Sequence, residues 1–369
     1  MELAPEDSLR LNVMLANQPQ AIRIDESRMV VYALSEKGEM EIPLNPNCRD
    51  DQYLKQIREM LSMHVLGSPS GYPQHIWSRM GHLRNENLGD LLLLGEPEAA
   101  VAVAYSEELT DELAKKVWWA LEDADNARQM LRMPAIVQGV MGPQLAEYLV
   151  EFLPFETEAE KIMDTIRLVL QPGLLDAKLV QDLWKRGKRK NAYYVGFLMG
   201  LPDDLPGDSV AHPKYQDLAS RLEEMVEAGN AVAALLLRTF SAPGQMWLRT
   251  LAQVLEKPGN QDVVNWSMEI AADYFSAVRP EGKTDATIEE LDAEAQAWMR
   301  EQNNHHVQQL LDVNPTLKDY IHALRLLSGS GYGVVRPVFG KSDAIGTLMR
   351  RKLQPIIQPY LENVSRLLS

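Results

Sequence analysis

One cysteine, Cys48, stands in a chain of 369 residues. A single thiol builds neither a disulfide framework nor a cysteine-ligated metal cluster, and such scarcity suits a reducing compartment. Long apolar runs are missing as well: nothing reaches the ~18 uninterrupted apolar residues of a membrane helix. The acidic opening, Met1 to Asn12, lacks the apolar segment of a secretory signal. The expectation is a cytoplasmic protein with no membrane association. Catalytic signatures are also wanting. There is no G-x-S-x-G elbow, no GK[ST] phosphate loop and no H-E-x-x-H helix. No cofactor and no resident metal are expected. Whether the chain is an enzyme stays open, the balance falling on a non-catalytic role.

Apolar residues make up 46% of the chain, enough for a sizeable core in one elongated or two compact domains. From Leu91 to Leu183, short apolar segments recur, each stopped by a proline, a glycine or an acidic pair. Segments this short cannot bury their own apolar face, so neighbours must stack. The expected fold is mainly α: a helical-repeat-like array of short helices, without a strict period that would name a repeat class. Strand signal is confined to Ala21–Asp25, Met29–Leu34 and Glu39–Pro43, which read as a small antiparallel β-meander. A helix over Pro5–Asn17 precedes it and one over Asp50–Val65 follows. Turn-forming residues near 67–73 and 201–208 suggest segments 1–66, 67–206 and 207–369. In the last, helices are expected over Tyr215–Glu227, Ala231–Thr239, Gly244–Glu256, Asp262–Val278 and Ile288–Gln302. Arg279–Lys283 reads as a surface loop. A final helix from about Ser342 should be kinked or divided by Pro355 and Pro359.

A net charge of −15 weighs against general nucleic-acid binding. Its distribution is uneven. Residues 86–164 carry 17 acids against 5 bases, whereas residues 336–366 carry 6 bases against 2 acids. The densest basic stretch is Lys185, Arg186, Lys188, Arg189 and Lys190, followed by Tyr193 and Tyr194. Bases interleaved with aromatics suit a partner-binding surface or an RNA contact. They equally suit a helix end with basic residues at its C-terminus, Gly187 stopping it, and tyrosines packed inside. Trp118 and Trp119 share that ambiguity between core and interface anchor.

Other candidates are weaker. Cys48 precedes a helix and adjoins Arg49, both of which favour a thiolate, while Asp50 and Asp51 oppose it; it is a candidate sulfur-reactive thiol. Glu301 and His305, four apart on an expected helix, share a face beside His306, but a metal site needs further ligands. The loop Gly329–Gly333 has the glycines of a phosphate cradle with Arg336, Lys341 and Arg350 nearby, yet it follows a helix rather than a buried strand. Whether a small ligand binds there stays open.

Several stretches resemble one family: APEDSLRLNVMLANQPQAIRIDESRMVVYAL, HVLGSPSGYP, DLLLLGEPEAAVAVA, DNARQMLRMPAIVQGVMGPQLAEYLVEFLPFE and RGKRKNAYYVGFLMGLPDDLP. They are similar to the DsrS family, named sulfur reduction protein DsrS, from the N-terminus to about Pro206. The resemblance implies a cytoplasmic protein of sulfur-oxidising bacteria whose partners are proteins of the dissimilatory sulfur-oxidation system. It brings no catalytic residues. The function expected is therefore a non-catalytic accessory or scaffold protein acting through protein–protein interaction. The alternatives are an RNA-contacting regulator using residues 185–190 and a sulfur-handling protein using Cys48. The oligomeric state is left open.

Overall fold

The computed structural model describes residues 3–67, 88–301, 304–341 and 344–368. Most of the loop expected at 67–73 lies outside the described residues, as do His75, His82, Gln302 and Ser342. The described chain is mainly α-helical, with one three-stranded antiparallel sheet near the N-terminus. It divides into two compact units, residues 1–152 with 172–174, and residues 153–171 with 175–369. The breaks expected near residues 66 and 206 fall inside these units.

The first unit is built on the meander. Strands β1 (Ala21–Asp25), β2 (Val30–Ser35) and β3 (Gly38–Pro43) pair in that order, with Ile22 opposite Ala33 and Val31 opposite Ile42. The expected second strand is shifted by one residue because Met29 has φ +53° and belongs to the turn. Alternation puts Ile22, Val31, Ala33 and Ile42 on one face. There they meet Leu11, Met14 and Leu15 of α1 (Pro5–Ala16) and Tyr53, Ile57 and Leu61 of α2 (Asp50–Leu66). Asp7, fully buried, ties these pieces: its carboxylate accepts from the Tyr53 hydroxyl at 2.6 Å and the Asn45 N–H at 2.7 Å.

The sheet's other face is clamped from outside. Arg23 lies 4.8 Å from the ring centres of both Tyr32 and Trp119. Glu39 accepts from Arg23 and from Trp119 Nε1, each at 3.0 Å. Trp119 belongs to α4 (Asp111–Ala120), whose other indole, Trp118, is buried edge-on to Tyr148 at 4.7 Å. Adjacent tryptophans thus divide their work: one fastens the helix to the sheet, the other fills the space beneath. Around them stack α3 (Pro97–Ala104), α5 (Ala124–Met130), α6 (Pro134–Val137) and α7 (Met141–Phe152). Asp111 reaches across to accept from the N–H groups of Val140 and Met141, both at 3.0 Å, at the start of α7.

The second unit begins with α8 (Ala159–Val169), α9 (Ala177–Arg186) and α10 (Ala192–Gly200). Helix α10 is apolar all round and lies on α8 with almost no gap. A Cβ at Gly196 would fall 2.5 Å from Ile166 Cβ, and one at Gly200 3.3 Å from Leu170 Cβ. The longer helices follow: α11 (Tyr215–Glu227), α12 (Ala231–Phe240), α13 (Ala242–Glu256) and α14 (Gln261–Tyr274). Their common centre is Trp247 of α13, fully buried and stacked on Tyr274 at 3.9 Å, its Nε1 donating to the Leu198 carbonyl at 3.2 Å. Arg238 covers the outer face of Tyr274 at 4.0 Å and forms a two-pronged pair with Asp203 at 2.7 and 2.8 Å.

Helices α15 (Ile288–Arg300), α16 (His305–Val313), α17 (Lys318–Ser328), α18 (Tyr332–Phe339) and α19 (Gly346–Leu367) complete the unit. Three expectations are corrected here. The helix expected over Asp262–Val278 stops at Tyr274 and turns through 276–278, which carries Arg279 inward instead of into a surface loop. Arg279 and Arg325 are both buried, and both pair with Glu294 and Glu281. Glu301 ends α15 in an extended conformation and His305 opens the next helix, so the two do not share a helical face. Lastly, α19 is not divided at Pro355 or Pro359 but continues from Gly346 to Leu367. Pro355 is exposed, so water can satisfy carbonyls that lose a donor, while Leu353, Ile357, Tyr360 and Val364 hold the helix down.

Two predictions follow from this packing. Gly196→Ala should cost about 2 kcal/mol through overpacking against α8, read as a lowered urea midpoint with unchanged slope. The second concerns His212, buried and stacked on Phe240 at 4.3 Å. Burial, helped by the Lys214 charge, holds its pKa below the ordinary 6.5. The unfolded chain then binds this proton more readily than the folded one, so stability falls as pH drops through about 6.5. His212→Gln should remove that component, so the stability difference between variant and wild type should change across pH 7 to 5. A constant difference would refute it.

Candidate partner-binding edge

The basic stretch forms the C-terminal end of α9 and the turn into α10. Lys185 and Arg186 sit in the last turn of α9, favourable positions for cations. Lys185 pairs with Asp182 at 2.9 Å, and Lys190 reaches back to the Glu156 carbonyl at 3.1 Å. Arg186, Lys188 and Arg189 are exposed, and their side chains have no hydrogen-bond or ion-pair partner among the described residues. The tyrosines go elsewhere. Tyr193 and Tyr194 are each only 4% exposed. Tyr194 packs on Trp184 at 4.6 Å, and Trp184 meets Phe197 at 5.0 Å. Of the candidate residues between 185 and 194, the bases stand at the surface while neither tyrosine ring offers a face to a nucleobase or a partner.

Gly187 has a different reason from the one expected. Its backbone is right-handed, φ −55°, so it is no left-handed helix stop. A Cβ there would instead enter the ring of Tyr194. Glycine lets the basic turn close down on the aromatic cluster.

What the sequence does not foretell is where this turn lies. Asn191 follows the bases immediately, and its side-chain amide donates to the Lys257 carbonyl at 2.8 Å and the Val254 carbonyl at 3.5 Å. These are the last carbonyls of α13, which lack helical donors. From the other side, Arg350 of α19 donates to the Pro258 carbonyl at 3.4 Å. The end of α13 is therefore a junction between the two basic parts of the chain, 185–190 and 336–366. Lys257, Arg350 and Arg351 line one groove beside it, of about 620 Å³. Its walls also carry Leu255, Pro258, Leu353, Ile357 and Leu361, with Glu256 and Glu362. Lys257 and Arg351 are exposed, and neither side chain has a partner among the described residues.

The remaining candidates do not join this edge. Cys48 is half-buried against the core of the first unit, its thiol donating to the Arg49 carbonyl at 3.7 Å. The Gly329–Gly333 loop is packed shut: a Cβ at Gly329 would strike Leu291, and one at Gly333 would lie 2.6 Å from the Ala286 nitrogen. His305 and His306 open α16, and among the described residues no three His, Cys, Asp or Glu side chains converge as metal ligands. No helix among the described residues is long and apolar enough to cross a membrane.

No protein-family model, no curated protein and no solved structure matches this chain.

Asn191→Ala should cost about 1 kcal/mol, the net worth of a hydrogen bond partly replaced by water. Amide exchange should quicken in residues 254–259 while residues 21–43 stay unchanged; uniform quickening throughout would contradict a local tie.

Proposed function

We propose that this protein is a non-catalytic accessory protein of cytoplasmic dissimilatory sulfur oxidation, of the DsrS kind, that works by binding an acidic partner protein. The sulfur-oxidation setting rests on the resemblance of the long strings between Ala4 and Pro206. The binding mode rests on one observation: Asn191 and Arg350 gather the two basic parts of an otherwise acidic chain around the end of α13. A cluster of unpaired cations attracts and orients an oppositely charged surface, raising association rates in a salt-dependent way. The RNA alternative loses its stacking platform to the burial of Tyr193 and Tyr194.

The test compares affinity capture by wild type and by the Lys188→Glu, Arg189→Glu double variant, from cytoplasmic extract of a sulfur-oxidising bacterium. Wild type should enrich proteins of the sulfur-oxidation system. Enrichment should fall about tenfold in the double variant and again as salt rises to ~0.5 M. Equal recovery by both proteins, or recovery unaffected by salt, would overturn the proposal.

A further inference from the structure

The groove beside α19 differs from the basic turn in having an apolar floor. Leu353, Ile357 and Leu361 come from one helix, Leu255 and Pro258 from the end of the other. Its charges are graded along α19. Three cations, Arg350, Arg351 and Lys257, outnumber the single carboxylate Glu256 at the N-terminal end, whereas Glu362 stands near the C-terminal end. Pro355 has no N–H, so the carbonyl of Arg351 lacks its i+4 donor and is left as an acceptor at the groove's basic end.

Resting on the binding role above, we infer that this groove docks a helical segment of a partner protein, one with acidic residues at one end of an apolar face. Side chains at i, i+3, i+4 and i+7 would enter between α13 and α19. The acidic end would lie against Lys257 and Arg351, the two cations that have no partner among the described residues. Glu362 would repel the same charge at the opposite end, which fixes the direction of the segment. RNA fits poorly because it has no use for an aliphatic floor and the groove offers no aromatic ring.

The probes are fluorescein-labelled synthetic peptides read by anisotropy with the full-length protein. One carries glutamates in its first turn and leucines at the spacing above; a second has lysines for the glutamates, a third serines for the leucines, and oligouridylate is the fourth probe. The acidic leucine peptide should bind at least about tenfold more tightly than the other three. Lys257→Glu with Arg351→Glu should weaken it by at least about tenfold, and so should Gln358→Trp, which fills the groove from an exposed position without changing charge. All three positions are exposed, so circular dichroism should show an unchanged fold. Equal binding of the probes, indifference to both variants, or self-association of wild type abolished by Arg351→Glu would each overturn the inference. If peptide binding fails while Lys188→Glu, Arg189→Glu still lowers capture from extract about tenfold, the groove assignment falls and the binding role stands.

Discussion

The arrangement at the basic edge depends on α13 being held in place along its whole length. Trp247 is the anchor: fully buried, stacked on Tyr274, bonded to the Leu198 carbonyl. A fully buried indole with its N–H satisfied is among the costliest side chains to displace. The ends are fixed by polar ties. At the start, Ser241 caps the helix, and Gln245 donates to the carbonyls of Thr239 and Leu367, the latter at the end of α19. At the finish, Asn191 takes the Val254 and Lys257 carbonyls, and Arg350 the Pro258 carbonyl just beyond the helix. Helices α13 and α19 are thus pinned to each other at opposite ends and run antiparallel, and the groove is the space left between the two pins. Loss of either would move Lys257 relative to Arg351 before it unfolded anything.

The local features of this fold were legible because they answer to local rules. Pro5 with Glu6 and Asp7 announces α1, and the alternation around Ile22, Val31 and Ile42 announces the sheet. Errors came where a distant contact overrode the local signal. The helix expected through Val278 stops early because Arg279 must turn inward to reach Glu294 and Ser328. The prolines of α19 do not divide it because its buried face outweighs the lost donors. Gly187 sits in an ordinary backbone conformation, and only the Tyr194 ring explains it. The site was half legible. Both basic parts can be counted in the sequence, but nothing there says that an asparagine at 191 meets carbonyls more than sixty positions away.

Arginines occupy two contrasting settings in the second unit. Arg279 and Arg325 are buried, each facing Glu281 and Glu294, and Arg325 also lies 4.8 Å from the Trp298 ring. Burial pushes the Arg325 pKa down, but its hydrogen bonds and charge interactions with Glu281 and Glu294 outweigh that and raise it. Such a cluster stays charged and, once packed, resists loss of any member, since the survivors would be left desolvated. It fastens α15 to α17 and offers nothing to a partner. Arg351, by contrast, is exposed on α19 and unpaired.

That contrast bears on why cations at the edge are unpaired at all. The chain has 52 acids and 37 bases, so there are more than enough carboxylates to give every base a partner. Lys188, Arg189, Lys257 and Arg351 nonetheless have none among the described residues. An exposed ion pair is worth about 0–1 kcal/mol, so leaving these groups unpaired costs the fold little. The field of several such cations together reaches about 8–10 Å into physiological solution, far enough to capture an acidic surface before contact. In a molecule of charge −15, a pairing of every base at this edge would erase a region able to attract acids. The end of α13 keeps that region basic although Glu256 closes the helix: its terminal carbonyls are met by the Asn191 amide, and the carbonyl of Pro258 beyond it by the Arg350 guanidinium.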